Sequence, residues 1–294
     1  MAWGPWFGKR KRNPPAWVTL ENTGCAGVLG IDIATDVGNV RSNNEDRAVV
    51  VYPKDGRTPE EIEIMLMLAD GMGGHNSGEI ASKIAVERVA QLFFGSTGRI
   101  LDRLRDAFRS ANAEIYQTGQ AEEHKGMGTT CTALVAVGET LYVAHVGDSR
   151  AYRLHQGELT QLTVDQTYVQ YLVQTGKINH DEALKHPKRN ILTQALGASA
   201  TITPEICCKK GCLMPGDIFL LCSDGLYEYL SDEEILTYLD EDMGSGMAQN
   251  MVDEAKRRGG HDNITVLLAR VQPREQESNA KATRESPQNS TSNP

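Results

Sequence analysis

Five aspartates in this chain share one setting: each lies next to Gly, Asn or another acid. Asp46 closes Arg41-Ser-Asn-Asn-Glu-Asp46, and Asp70 opens Asp70-Gly-Met-Gly-Gly-His75. Asp148 stands in Val146-Gly-Asp-Ser-Arg150, Asp224 in Leu221-Cys-Ser-Asp224-Gly225 and Asp262 in Gly259-Gly-His-Asp-Asn263. Three of them follow apolar runs directly, at Leu66–Ala69, Tyr142–Val146 and Phe219–Cys222. A carboxylate in that position emerges at the rim of a core, where desolvation is costly without a cation. A hard divalent ion such as Mg²⁺ or Mn²⁺ suits an all-oxygen donor set, and the lack of His or Cys in the set argues against zinc. One Asp-Gly is only a turn dipeptide. Five such acids, with Arg41 and His75 in similar settings, make a pattern. Arg41 offers a planar fork for anion oxygens, and His75 a group that exchanges protons near neutral pH.

These residues need a rigid frame. Ile31–Ala34, Ala48–Tyr52, Ile62–Ala69, Cys131–Val137, Thr140–Val146, Ala151–His155, Ile218–Cys222 and Ile264–Val271 read as strands. They are short, rich in β-branched residues, and bounded by Gly, Asp or Asn. Short turns such as Gly138-Glu139 and Gln156-Gly157 favour antiparallel hairpins over a parallel, doubly wound sheet. Glu79–Phe94 and Arg99–Thr118 each place their apolar residues on one helical face. Asn76 with Glu79 and Ser231 with Glu234 have capping-box spacing, and a further helix runs from about Gly246 to Arg257. The pattern is α+β: two mainly antiparallel sheets packed together, flanked by pairs of α-helices. Residues 165–196 break the strand rhythm with two short helices, expected to be capped by Thr163 and Asn179 and stopped at His186-Pro187. Such an insertion reads as a small helical flap beside a site.

The two ends differ from the body. Residues 1–25 hold all three tryptophans and the basic run Lys9–Arg12, and residues 273–294 form a polar tail expected to be disordered. The catalytic body therefore spans 26–272. The net charge is −9, and removing that basic run leaves the rest at −13, a poor nucleic-acid binder. Residues 1–17 could dock on an anionic membrane surface or a partner. No apolar stretch is long enough to span a bilayer, and the six cysteines read as reduced thiols of a cytoplasmic protein. Cys207, Cys208 and Cys212 lack a fourth partner for a metal knot. His145 reads as a satisfied core residue and His261 as part of the site's edge, while Thr129, Thr130, Ser149 and Arg150 would hold the loops beneath the acids.

Together with Gly126-Met-Gly-Thr-Thr130, the acidic segments resemble the PPM family, the protein phosphatase 2C type of Ser/Thr phosphatase, in its bacterial branch. The resemblance runs from about residue 30 to 271, in the family's order. It implies a four-layer sandwich and a Ser/Thr protein phosphatase in which a hydroxide shared by two divalent ions, Mn²⁺ or Mg²⁺, attacks the phosphate directly. By position, Asp70 would bridge both ions and Gly71 would offer its backbone carbonyl. Asp224 and Asp262 would complete the shells, and Asp46 would join directly or through water. Asp148 matches the residue that holds a third, weaker ion near the flap. Arg41 would bind the phosphate and His75 would act as general acid. Substrates would be phosphorylated proteins, including those of a Ser/Thr kinase that the enzyme opposes. The alternative is a catalytically weak pseudophosphatase that only binds phosphoproteins; such a chain is expected to have lost one of the acids or the Arg, and none is missing.

Overall fold

The computed structural model describes residues 24–26, 29–52, 63–73, 77–240 and 246–272. His75, Asn76, the Trp-rich segment 1–17 and the polar tail lie outside them. Two antiparallel sheets form the centre. One consists of β1 (Gly24–Ala26), β2 (Leu29–Asp36), β8 (Arg150–His155), β9 (Glu158–Gln161), β11 (Ile218–Cys222) and β12 (Ile264–Val271), in the order β1-β2-β12-β11-β8-β9. The other contains β3 (Asp46–Val51), β4 (Ile64–Met72), β6 (Cys131–Val137), β7 (Thr140–Val146) and β10 (Glu205–Lys210), in the order β10-β7-β6-β4-β3. The short β5 (Gly128–Thr129) pairs with the end of β4.

Both faces of the central strands are buried, and the period-2 alternation assigns their side chains to separate cores. Leu66 and Leu68 of β4 point between the sheets, meeting Leu134, Phe219, Leu221 and Leu267. Their neighbours Met65 and Met67 point outward against α1 (Ser77–Gly95) and α2 (Ile100–Thr118), where Val89, Phe93, Phe108 and Ile115 are fully buried. The outer face of the first sheet is covered by α5 (Asp224–Tyr227), α6 (Asp232–Asp240) and α7 (Met247–Arg258), through Leu226, Ile235, Met251 and Val252. The expected four-layer α+β sandwich is therefore present.

Every strand read from the sequence is found. Those missed are β1, β5, β9 and β10. β10 is an edge strand carrying Glu205, Lys209 and Lys210 with little apolar alternation, and β9 is also an exposed edge. Pairing of Gly24 and Cys25 with β2 brings into the sheet two residues that the sequence reading gave to the N-terminal extension. The flap holds α3 (Tyr168–Gln174) and α4 (His180–Leu184). Asn179 and Glu182 form the expected capping box of α4. The cap of α3 is Thr167, whose hydroxyl accepts from the Gln170 amide at 3.2 Å, and not Thr163. Thr163 instead accepts from the Ala151 amide at 3.1 Å, which ties the flap's entry to β8.

Arg103 of α2 links the helix pair to the start of β4. It makes a two-bonded pair with Glu63, at 2.6 and 2.7 Å, and donates to the Phe93 carbonyl while its guanidinium lies over the Phe93 ring. Both side chains of this pair are largely buried, so removing the cation strands a carboxylate. Arg103→Ala is expected to lower stability by about 3 kcal/mol in a urea titration; a loss below about 1 kcal/mol would show that solvent screens the pair.

Candidate active site

The end of the sandwich where Asp46 begins β3 and Asp70 sits late in β4 also receives Asp148 after β7, Asp224 after β11 and Asp262 before β12. Asp46 and Asp70 are direct cross-strand partners. Asp70, Gly71, Asp148, Asp224 and Asp262 line one cavity of about 560 Å³ together with Arg41, Glu45 and Thr130. Asp46 is buried behind them.

Hydrogen bonds to the backbone fix the acids in place. Thr130 accepts from the Asp70 amide through its hydroxyl at 2.9 Å and donates its own amide to the Asp70 carbonyl at 2.9 Å. The Thr129 hydroxyl donates to the same carbonyl at 2.8 Å, and the Thr130 and Ser149 hydroxyls are 2.6 Å apart. Asn263 joins three segments: its Nδ2 donates to the Val37 and Asn43 carbonyls and its Oδ1 accepts from the Glu45 amide. Gly71 is required by close packing, because a Cβ there would stand 2.2 Å from the Gly78 carbonyl oxygen. Glu45 reaches the start of α1 at Gly78, where a carboxylate complements the helix dipole.

The electrostatics are those of crowded, dry carboxylates. Burial, reinforced by one another's charge, pushes Asp70 and Asp224 well above the usual carboxylate range. Burial raises Asp46 to about 6, partly offset by hydrogen bonds that include one donated by Ser223 at 2.7 Å. Asp148 rises to about 7 through burial and the charge of Asp165. Asp46 Oδ1 is buried with no hydrogen-bond partner among the described residues. Asp262 is held by Arg41, whose Nη2 donates to Oδ2 at 2.7 Å. Among the described residues no three His, Cys, Asp or Glu side chains stand close enough together to enclose a cation without further movement. The donor set still fits hard divalent ions: it is all oxygen, faces one cavity, and is backed by the orphaned Asp46 oxygen.

The other expected residues fall into supporting places. Arg150 pairs with Asp165 at 2.7 Å and stacks over the Tyr227 ring at 3.8 Å. Tyr227 faces Asp148 and Asp224 and was not singled out from the sequence, because a Tyr three residues after Asp224 carries no local signal. His261 hydrogen-bonds Tyr229 at the rim. His145 is only half satisfied. Thr132 donates to the Ser149 carbonyl, so His145 Nδ1 is the donor to Thr132 at 2.9 Å; Nε2 has no partner among the described residues. Burial lowers its pKa to about 4, so it is neutral.

Comparison with known proteins identifies the family and the fold. Residues 55–258 match the family model described as protein phosphatase 2C. A 2C-type protein phosphatase of Streptococcus pyogenes serotype M6 is 40% identical over 245 residues, covering 82% of this chain and 96% of that protein. The solved serine/threonine phosphatase of S. agalactiae superposes with a TM-score of 0.75 at 37% identity, over 83% of this chain and all of that one. The catalytic domain of the serine/threonine protein phosphatase PstP, solved with two manganese ions, superposes with a TM-score of 0.71 at 37% identity, over 84% of this chain and 99% of that one. The chain belongs to the protein phosphatase 2C family of metal-dependent Ser/Thr protein phosphatases. It is a phosphomonoester hydrolase.

The raised pKa values fix a sign. Below about pH 4 these carboxyls are protonated in both the folded and unfolded states. As pH rises towards 7, the unfolded chain releases its protons first, so the stability held by the protonated sites is lost. Metal-stripped protein is therefore expected to lose stability across this interval on account of the acids. Asp46→Asn, which removes the charge at nearly constant shape, should stabilise it at pH 8 by on the order of 2 kcal/mol. Thermal melts in chelator test this, and a destabilised Asp46→Asn at pH 8 would show that the site is not strained by its charges.

Proposed function

We propose that this chain removes phosphate from phosphoSer and phosphoThr side chains at the acidic cavity, with Asp70, the Gly71 carbonyl, Asp224, Asp262 and Asp46 holding two divalent cations, Mn²⁺ or Mg²⁺. Asp148, beneath the flap, would take a third and weaker ion. The observation that carries the reading is the gathering of four aspartates from four separate segments around one cavity, with Asp46 buried behind them and Arg41 on the cavity wall. When bound, the ions supply an activated water and neutralise the phosphate dianion.

The residues of the chain supply the rest. Arg41 is more than half exposed, and its guanidinium can leave Asp262 to receive two phosphate oxygens in its fork. Release of Asp262 from that ion pair turns its carboxylate back towards the cluster. One movement would thus complete the acidic shell and free the phosphate clamp. Ser223 donates to Asp46 and partly offsets the burial that disfavours its charge, and Asp46 would stay out of contact with substrate. The Thr130–Asp70 hydrogen bonds hold the central acid still while charge accumulates. His75, outside the described residues, would give its proton to the departing Ser or Thr oxygen.

The names of the relatives, Ser/Thr protein phosphatases, support phosphorylated proteins as substrates; a Ser/Thr kinase would be the opposing enzyme. The cytoplasm is the proposed compartment, on the reading of the six cysteines as reduced thiols. Docking of residues 1–17 on a membrane or partner lies outside the described residues. The pseudophosphatase alternative would call for a missing acid or Arg, and the sequence keeps Asp46, Asp70, Asp148, Asp224, Asp262 and Arg41.

Purified protein should release phosphate from a phosphothreonine peptide with Mn²⁺ and lose that activity in chelator. Asp224→Asn should lower kcat at least ~100-fold. It should also weaken Mn²⁺ binding in calorimetry, a readout that does not depend on turnover. Calorimetry near pH 6 in buffers of different ionisation enthalpy should show protons released as Mn²⁺ binds, because the acids start partly protonated. Full activity of Asp224→Asn, or Mn²⁺ binding with no proton release, would contradict the assignment.

A further inference from the structure

A second cavity, of about 380 Å³, lies under the flap and shares Thr193 with the acidic cavity. Its walls come from the flap, at Val164, Asp165, Tyr171 and Gln174, and from Glu205 at the start of β10. The chemistry of these groups is mixed in a definite way. Val164 and Tyr171 are apolar and exposed at 39% and 49%, and they line this one cavity together. Asp165 is already neutralised, since both its oxygens accept from Arg150. Glu205 is exposed and makes no ion pair or side-chain hydrogen bond among the described residues. The Tyr171 ring already draws a cation: the Lys177 ammonium, exposed on its flexible stem, lies 5.3 Å from the ring centroid. Apolar walls, an aromatic face and one unused carboxylate suit a side chain with an aliphatic stem and a cationic head.

We propose that this cavity is a specificity subsite that receives a Lys or Arg flanking the phosphorylated residue of the substrate. The stem would lie along Val164 and Tyr171, and the head would pair with Glu205. The proposal rests on the phosphatase reading of the neighbouring cavity. The shared Thr193 wall sets the two cavities side by side, so a peptide whose phosphate enters the acidic cavity would bring a flanking residue to this opening. The arrangement also separates two tasks. The acid-rich cavity selects phosphate through its cations and Arg41, and the second selects sequence through a single carboxylate and an aromatic ring.

The test is a set of phosphothreonine peptides of equal length with Arg, Ala or Glu at successive flanking positions, assayed for kcat/KM with Mn²⁺. At one position, Arg should be preferred to Ala by about fivefold. Glu205→Gln should reduce that preference below about twofold, and Glu205→Lys should invert it in favour of the Glu peptide. Tyr171→Ala should weaken it partly. Turnover of p-nitrophenyl phosphate, too small to reach the second cavity, should be unchanged in all three variants. A basic preference that survives in Glu205→Lys overturns the subsite. So does its absence in the unaltered enzyme, and with p-nitrophenyl phosphate turnover intact that result leaves the phosphatase reading standing.

Discussion

Carboxylates brought together out of water repel one another, and this molecule concentrates five aspartates at one end of its sandwich. Burial and mutual charge raise Asp46, Asp70, Asp148 and Asp224 together. A fold left to minimise its own energy would place such groups apart or pair each with a cation. Among the described residues only Asp262 of the five has such a partner, in Arg41. The site is therefore a destabilised arrangement sustained by the rest of the structure, the usual price of a preorganised charge-binding centre.

What sustains it is mostly backbone. The acids sit at the ends of strands whose middles are packed on both faces, so their Cα positions are set by the cores and not by the site. β4 is the clearest case: Met65 and Met67 are locked under the helices, Leu66 and Leu68 between the sheets, and Asp70 follows where the strand must go. Short polar side chains complete the frame. Thr130 grips Asp70 by its amide and carbonyl, Ser223 bonds Asp46, and Asn263 joins the loop before β3 to β12. None of these needs to touch substrate to matter, since a shift of one ångström in an acid changes the cavity's charge distribution.

Much of this was legible in the sequence, and the reason differs from case to case. Strands buried on both faces, such as Ile218–Cys222 and Ile264–Val271, carry their own apolar signature. Asp70, Asp148 and Asp224 were visible because an Asp just after an apolar run is chemically odd, and Asp46 and Asp262 because they share the same Gly, Asn or acid neighbours. Edge strands were not visible: Glu205–Lys210 in β10 reads as polar loop, since a strand with one neighbour need not be apolar. Thr163 and Thr167 each precede a Gln by three residues, and local spacing cannot say which one a neighbouring strand will claim. The half-satisfied His145 and the Arg41–Asp262 pair were likewise out of reach. Both depend on groups far along the chain, at Thr132 and Asp262, meeting in space.

The central claim is that charge crowding waits on cations and that the acids close when these arrive. A crystal structure of the protein grown with Mn²⁺, with anomalous scattering collected at the manganese edge, tests this most directly. The account requires two strong peaks among Asp70, Asp224 and Asp262, with Asp262 turned away from Arg41. An empty cavity at saturating Mn²⁺, with Arg41 still bonded to Asp262, would contradict it.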